Sequence, residues 1–457
     1  MDKKSVFDEY LDIKTVFRNR EVLRPTYTPE DLPHRGNQIN HLASILVAAL
    51  KNETPSNVFI YGKTGTGKTA VVRLIGKELE KKAMEITKTH QKEILKITLE
   101  QSENGINEIM ENITSKVGFQ ETFGLDLDYE LKKTVNYIYI NCQHVDTQYR
   151  ILTHIANTMI SRWDDRLPLT GLPTDEVYNR LLNSIDKYSG VTIIILDEID
   201  KLVEKSGDDI LYNLTRINSD LKNSKASIIG ITNNLKFTDF LDARVKSSLG
   251  EDELIFPPYD AEQLQDILNQ RAGNAFIDRS LESSVIPLCA ALAAQEHGDA
   301  RRALDLLRVS AELAEREGGG KVIEKHVRKA LNKIEQDTVA EVIDTLPPQS
   351  KLVLLGIILN EEMGTDKLTT GMVFDTYKEL CKQINLDVLT QRRITDLISE
   401  LDMLGIINAR LVSFGRGGRT RLIQLSVPIG NTKKVLERSE LLKDIIDFKP
   451  PMQSTLI

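Results

Sequence analysis

The run Gly62-Lys63-Thr64-Gly65-Thr66-Gly67-Lys68-Thr69 constrains this chain more than any other stretch. It stands between the apolar, strand-like Val58-Phe59-Ile60-Tyr61 and the helical pattern Ala70-Val71-Val72-Arg73-Leu74-Ile75. A strand, a glycine-rich loop and a helix in that order turn backbone N–H groups onto a phosphate, and the helix N-terminus adds its partial positive charge. Lys68 is spaced to reach the terminal phosphates and Thr69 to ligate Mg2+. The expectation is a site for ATP or GTP.

Four further β-like runs follow, Tyr137 to Cys142, Val191 to Leu196, Ser227 to Ile231 and Glu253 to Phe256. They alternate with helical patterns, which predicts an α/β core with a mainly parallel sheet. The third run ends Ile193-Ile194-Ile195-Leu196-Asp197-Glu198, an apolar strand that delivers two carboxylates at its C-terminal edge, where open parallel sheets bind ligands. Asp197 is expected in the magnesium shell and Glu198 as the base that polarises the attacking water. The fourth run ends Ile231-Thr232-Asn233-Asn234; Asn233 either orients that water or belongs to a plain Asn-Asn turn.

A chain of 457 residues accommodates two to four domains. No apolar stretch is long enough to cross a bilayer, Met1-Asp2-Lys3-Lys4 opens no signal-peptide core, and three scattered cysteines suit a reducing compartment, so a cytoplasmic location with no membrane partner is expected. The net charge of -8 confines any nucleic-acid contact to local patches.

Past the sheet, Gly298-Asp299-Ala300-Arg301-Arg302 opens a helix with a capping aspartate and two arginines in its first turn. Cations there oppose the helix dipole, so Arg301 is expected to serve phosphates rather than stability. Pro347-Pro348 mark a boundary. Three helical segments near 349–360, 370–384 and 390–404 then precede a glycine-tipped hairpin, the pattern of a winged helix. The third segment opens Thr390-Gln391-Arg392-Arg393 and the hairpin carries Arg410, Arg416, Arg419 and Arg421 with no acidic residue between Gly405 and Ile423. Arg393, Arg416, Arg419 and Arg421 are suited to phosphates, and Gln391 or Arg392 to base edges. Residues 82–134 read as a polar insertion with Ile106, Ile109, Met110, Ile113 and Val117 at helical spacing.

The phosphate loop, the LDEID strand end, ITNN and GDARRALDLLR together resemble the AAA+ ATPases. The stretches LRPTYTPEDLPHRGNQI, LPLTGLPTDEVY and LDARVKSSLGEDELIFPPY resemble, within that superfamily, the archaeal origin-recognition and replication-initiator proteins. The resemblance implies a base domain over 1–259, a helical lid over 260–340, a winged-helix domain over 341–430 and a tail over 431–457. It implies ATP and Mg2+ as cofactors, Asn233 as sensor 1, Arg301 as sensor 2, and Leu32-Pro33-His34-Arg35 beside adenine and ribose. Arg244 becomes a candidate arginine finger acting on a neighbouring initiator subunit, although Ser248 stands where clamp loaders have a second arginine. A helical element over Asp165 to Tyr178, with Arg166, Thr170 and Gly171, is expected to add a second DNA contact. The implied function is a slow, switch-like ATPase that binds double-stranded origin DNA and helps recruit or load the MCM helicase. Two other functions fit the same motifs, a clamp-loader-like remodeller and a nucleotide-gated transcriptional regulator.

Overall fold

The computed structural model describes residues 15–101, 135–145, 147–160, 162–188, 190–365, 367–413 and 419–449. They form two compact units, one extending to Val327 and one starting at Arg328, with the division inside the helix Glu324–Thr345.

The first unit is built on a five-stranded parallel sheet: β1 (Val58–Gly62), β2 (Val135–Asn141), β3 (Val191–Asp197), β4 (Lys225–Thr232) and β5 (Asp252–Phe256), in the spatial order β2-β3-β4-β1-β5. Every residue of β3 is buried, as a central strand covered on both faces requires. Its side chains alternate between two cores. Ile194 and Leu196 pack with Ile138, Ile140 and Ile228 on one face; Ile193 and Ile195 pack with Val58, Ile60 and Ile229 on the other. Each fully buried isoleucine contributes about 1.5–3 kcal/mol. Parallel register then brings the functional ends together: Asp197 lies opposite Ile231, and Tyr61, one residue before the phosphate loop, lies opposite Thr232.

The helix Lys68–Gln101 starts directly from the loop and buries Val71, Val72, Ile75 and Leu79 against the sheet. It runs unbroken through residue 82, where the insertion was expected to begin. Ile106, Ile109, Met110, Ile113 and Val117 lie outside the described residues.

The expected helical element over Asp165 to Tyr178 is corrected. Only a short 3-10 turn, Trp163–Asp165, precedes a loop, and the regular helix begins at Thr174. Asn157 explains the loop: its amide both donates to the Leu167 carbonyl at 3.0 Å and accepts from the Leu167 N–H at 2.7 Å, which holds extended backbone in place of helical bonds.

The lid packs in this same unit. Of its helices Ala261–Ala275, Val285–Glu296 and Ala300–Arg316, the first and third start at strong caps: Asp260 forms a capping box with Gln263, and Asp299 accepts from the N–H groups of Arg301 and Arg302. Residues 15–24 lie along the lid, with Phe17 stacked on Phe276 at 5.1 Å and Arg20 paired to Glu315 at 2.6 Å.

In the second unit, helices Pro348–Glu362, Thr370–Gln383 and Gln391–Met403 pack with a sheet of β6 (Leu368–Thr369), β7 (Ile407–Ser413) and β8 (Arg419–Leu425), ordered β6-β8-β7. β7 and β8 are the antiparallel arms of the wing. Pro348 starts its helix at the first turn, where a missing N–H costs nothing. The segment assigned from sequence to a tail puts Val435, Leu436, Leu442, Ile445 and Ile446 into this core.

Candidate functional site

A cleft of about 420 Å³ opens at the C-terminal edge of the sheet. Gly65 to Thr69, Asp197, Glu198, Asn233 and Arg301 all line it, together with Leu32 and Pro33. Residues from five separate stretches of sequence therefore converge on one space.

The loop conformation follows from its glycines. Gly65 and Gly67 sit at φ +67° and +91°, the left-handed region that L side chains rarely adopt. Gly62 is bounded differently: a Cβ there would lie 2.4 Å from the Phe256 carbonyl oxygen of the adjoining strand. Lys68 turns back along the loop, and its Nζ donates to the carbonyls of Gly62 at 2.8 Å and Lys63 at 2.7 Å. The side chain is buried, and desolvation pushes its pKa down to about 8, against the opposing pull of Asp197. A desolvated ammonium at a glycine-rich loop is chemically suited to an anionic phosphate. Thr64 completes the loop without lining the cleft.

Thr69 Oγ1 donates to Asp197 Oδ2 at 2.8 Å, so the two oxygens suited to a hard divalent cation are already adjacent. The same carboxylate oxygen accepts from the Tyr139 hydroxyl at 2.6 Å. Glu198 is half-buried and caps the helix Ile199–Ser206 from a left-handed backbone, φ +58° and ψ +47°. That conformation costs a non-glycine residue about 1–2 kcal/mol, and strain of this kind gathers at functional positions. Burial, then the neighbouring Asp197 charge, raises its carboxyl above the ordinary glutamate range. Thr232 Oγ1 donates to Asp200 at 2.7 Å and accepts from the Asn234 N–H at 3.0 Å, which fixes the turn carrying Asn233.

The lid reaches the loop directly. The Ala300 N–H donates to the Gly65 carbonyl at 3.2 Å, and Arg301 follows one residue later. Arg35 and His34 take different places from Leu32 and Pro33. Arg35 is 2% exposed; its guanidinium donates to the carbonyls of Thr66 at 2.9 Å and Pro257 at 2.7 Å and lies 3.8 Å over the Tyr259 ring, so it braces the loop from behind. His34 meets Asp266 of the lid at 2.9 Å. Arg244 is exposed and outside the cleft, held by Asp242 at 3.0 Å and lying 5.0 Å over the Tyr212 ring.

Sequence reasoning missed Tyr139, Tyr259 and the Ala300 N–H contact to the loop. Tyr139 had a signal, since it shares a β2 face with Tyr137 and ends near the carboxylate strand. Tyr259 had none.

In the winged-helix unit, Gln391, Arg392 and Arg393 are exposed at the start of their helix, with Arg393 within 4.0 Å of Asp396 and 3.9 Å of Glu400. Arg421 is half-buried and donates to the Thr395 carbonyl and to the Ser399 hydroxyl, joining wing to helix. Arg416 and the side chain of Arg419 lie outside the described residues. In the first unit, Arg166 stacks 4.9 Å over the 78%-exposed Trp163, and Thr170 and Gly171 are exposed on the same loop.

The strand order, the phosphate loop on β1, the acidic end of β3 and the helical lid define an AAA+ ATPase fold. Comparison with known families agrees. Residues 51–235 match an AAA domain, residues 265–332 the Cdc6 AAA+ ATPase-type lid domain, and residues 341–435 the CDC6 C-terminal winged helix domain. The chain is 54% identical over 446 residues to the ORC1-type DNA replication protein 1 of Methanosarcina mazei, covering 97% of this chain and 96% of that one. It is 50% identical over 453 residues to the ORC1-type DNA replication protein of Thermococcus onnurineus, covering 99% and 98%. The structure of the Aeropyrum pernix ORC1 protein in complex with DNA superposes with a TM-score of 0.72 at 43% identity over 94% of this chain and 99% of that one. The chain belongs to the archaeal ORC1-type DNA replication initiators.

Proposed function

We propose that this initiator binds ATP with Mg2+ in the cleft, grips double-stranded origin DNA with its winged helix and with the Trp163–Gly171 loop, and uses slow hydrolysis to switch between states that favour recruiting or loading the MCM helicase. The observation that carries the nucleotide reading is the meeting of Lys68, Thr69, Asp197, Glu198, Asn233 and Arg301 around one cleft. Lys68 takes the terminal phosphates, Glu198 polarises water, Asn233 orients it, and Arg301 reports the phosphate state to the lid. Thr69 and Asp197 would hold Mg2+, which when bound neutralises phosphate charge. Arg244, outside its own cleft, acts on the nucleotide of a second initiator subunit, with Ser248 leaving it the lone finger.

The DNA reading is supported by the complex formed by the Aeropyrum relative and by the exposed Gln391, Arg392 and Arg393 at a helix start. Footprinting on genomic DNA with and without ATP tests it. Protection of repeated elements at a replication origin is expected. Protection at promoters would make the chain a transcriptional regulator instead, and protection nowhere would favour a clamp-loader-like remodeller.

A further inference from the structure

The carboxylate of Asp197 is held from two sides at one atom. Its Oδ2 accepts from the Thr69 hydroxyl at 2.8 Å and from the Tyr139 hydroxyl at 2.6 Å. Thr69 comes from the start of the phosphate-loop helix, whereas Tyr139 comes from β2 at the edge of the sheet. A carboxylate oxygen has two lone pairs, so these two donors fill both acceptor positions of Oδ2. Oδ1 is then the oxygen left to meet a hard cation or the water bound to it.

The strand register explains why a tyrosine reaches this atom. Asn141 pairs with Asp197 and Tyr139 with Ile195, so Tyr139 shares a sheet face with Asp197 but is set back by two residues, about 6.6 Å along the strand. A phenol covers that offset and carries its donor at the tip; the shorter hydroxyls of serine and threonine do not. The ring is placed independently of the hydroxyl, since it packs on the core of that sheet face and Arg73 lies 4.4 Å over it. Tyr137, two residues earlier on the same face, makes the contrast. Its hydroxyl donates to the Val72 carbonyl, and a Cβ at Gly76 would fall 2.3 Å from its ring, so this phenol fastens helix to sheet. The phenol of Tyr139 fastens the acidic strand end instead.

Resting on the nucleotide and Mg2+ reading proposed above, we infer that Tyr139 is a positioning residue for the cation: it fixes the rotation of the Asp197 carboxylate, keeping Oδ2 on Thr69 and Oδ1 free for the metal. Without the phenolic hydroxyl, the carboxylate turns about its Cβ–Cγ bond and presents no single oxygen. Partners that orient a metal-binding side chain in this way set metal affinity by about tenfold to a hundredfold.

Calorimetric binding of a non-hydrolysable ATP analogue to the full chain, in EDTA and across a series of free Mg2+ concentrations, tests this. Tyr139→Phe keeps the ring and its contact with Arg73 and removes only the hydroxyl. It is expected to leave the affinity in EDTA within about twofold and to raise the Mg2+ concentration that gives half of the metal's effect by about tenfold. Tyr137→Phe removes a phenolic hydroxyl from the same strand, and because its partner is Val72 it should leave that concentration within about twofold of the wild type. An unchanged Mg2+ requirement in Tyr139→Phe would overturn the inference. So would an equal loss of affinity with and without Mg2+, the mark of a merely structural tyrosine, or an equal shift in Tyr137→Phe. Should the wild type fail to bind the analogue, or bind it with no response to Mg2+, the nucleotide and metal reading itself fails and the inference falls with it.

Discussion

Lys68 carries the most direct consequence at the scale of one residue. Its pKa is pushed down to about 8 because burial disfavours the charged form. The unfolded chain, with an ordinary lysine, holds more protons between about pH 8 and 10.5, so folding stability of the nucleotide-free protein rises with pH across that window. Phosphates reverse the preference by favouring the ammonium. ATP affinity should then decline as pH rises above about 8, by at most tenfold per pH unit, which a binding titration from pH 7 to 9.5 measures. Glu198 moves the other way. Its raised pKa means that a base acting as the carboxylate is lost at a higher pH than an ordinary glutamate would be, so hydrolysis should fall early on acidification. Glu198→Gln should leave ATP binding within a few-fold and slow hydrolysis by about a hundredfold or more; equal turnover would remove Glu198 from its assigned role.

At the scale of elements, the lid helix and the phosphate loop share a contact that leaves no room for a side chain. A Cβ at Gly65 would lie 1.6 Å from Asp299 Oδ1, on a residue already at φ +67°. Gly65→Ala should therefore force the lid away from the loop and weaken ATP binding by tenfold or more, read by calorimetry. The wing gives a contrasting pair of outcomes. Arg421 spends its hydrogen bonds on Thr395 and Ser399, so Arg421→Ala should cost about 1–2 kcal/mol of stability in denaturant unfolding and leave the salt dependence of DNA binding almost unchanged. Arg416→Ala with Arg419→Ala should instead flatten the log-log salt slope by up to about two units, as for two lost phosphate contacts. The four hairpin arginines looked equivalent in sequence, because composition counts charges and cannot show which of them a neighbouring carbonyl has already taken.

For the whole molecule, two compact units joined through one helix predict two unfolding transitions in calorimetry. ATP at about a hundred times its dissociation constant should stabilise the first unit by about 2.7 kcal/mol and leave the winged-helix unit in place. A single transition raised as a whole by ATP would contradict that independence.

The sequence by itself determined the phosphate loop, the acidic strand end and the alternation of strands with helices. Each depends on residues adjacent in the chain: a glycine run between a strand and a helix, or the largely apolar run Val191 to Leu196 followed by two carboxylates, needs no distant partner to be recognised. Tertiary structure alone decided how Arg35 and Leu32 differ, since three residues of one stretch are divided between a brace for Thr66 and a wall of the cleft by packing against Pro257 and Tyr259. It likewise replaced helix by loop after Asp165, through the side-chain amide of Asn157, and set Asp31 against Gln270 across the 239 residues that separate them. Local pattern encodes what a backbone segment becomes. Which polar atoms are satisfied and which are left open for a ligand depends on contacts between segments far apart in the chain.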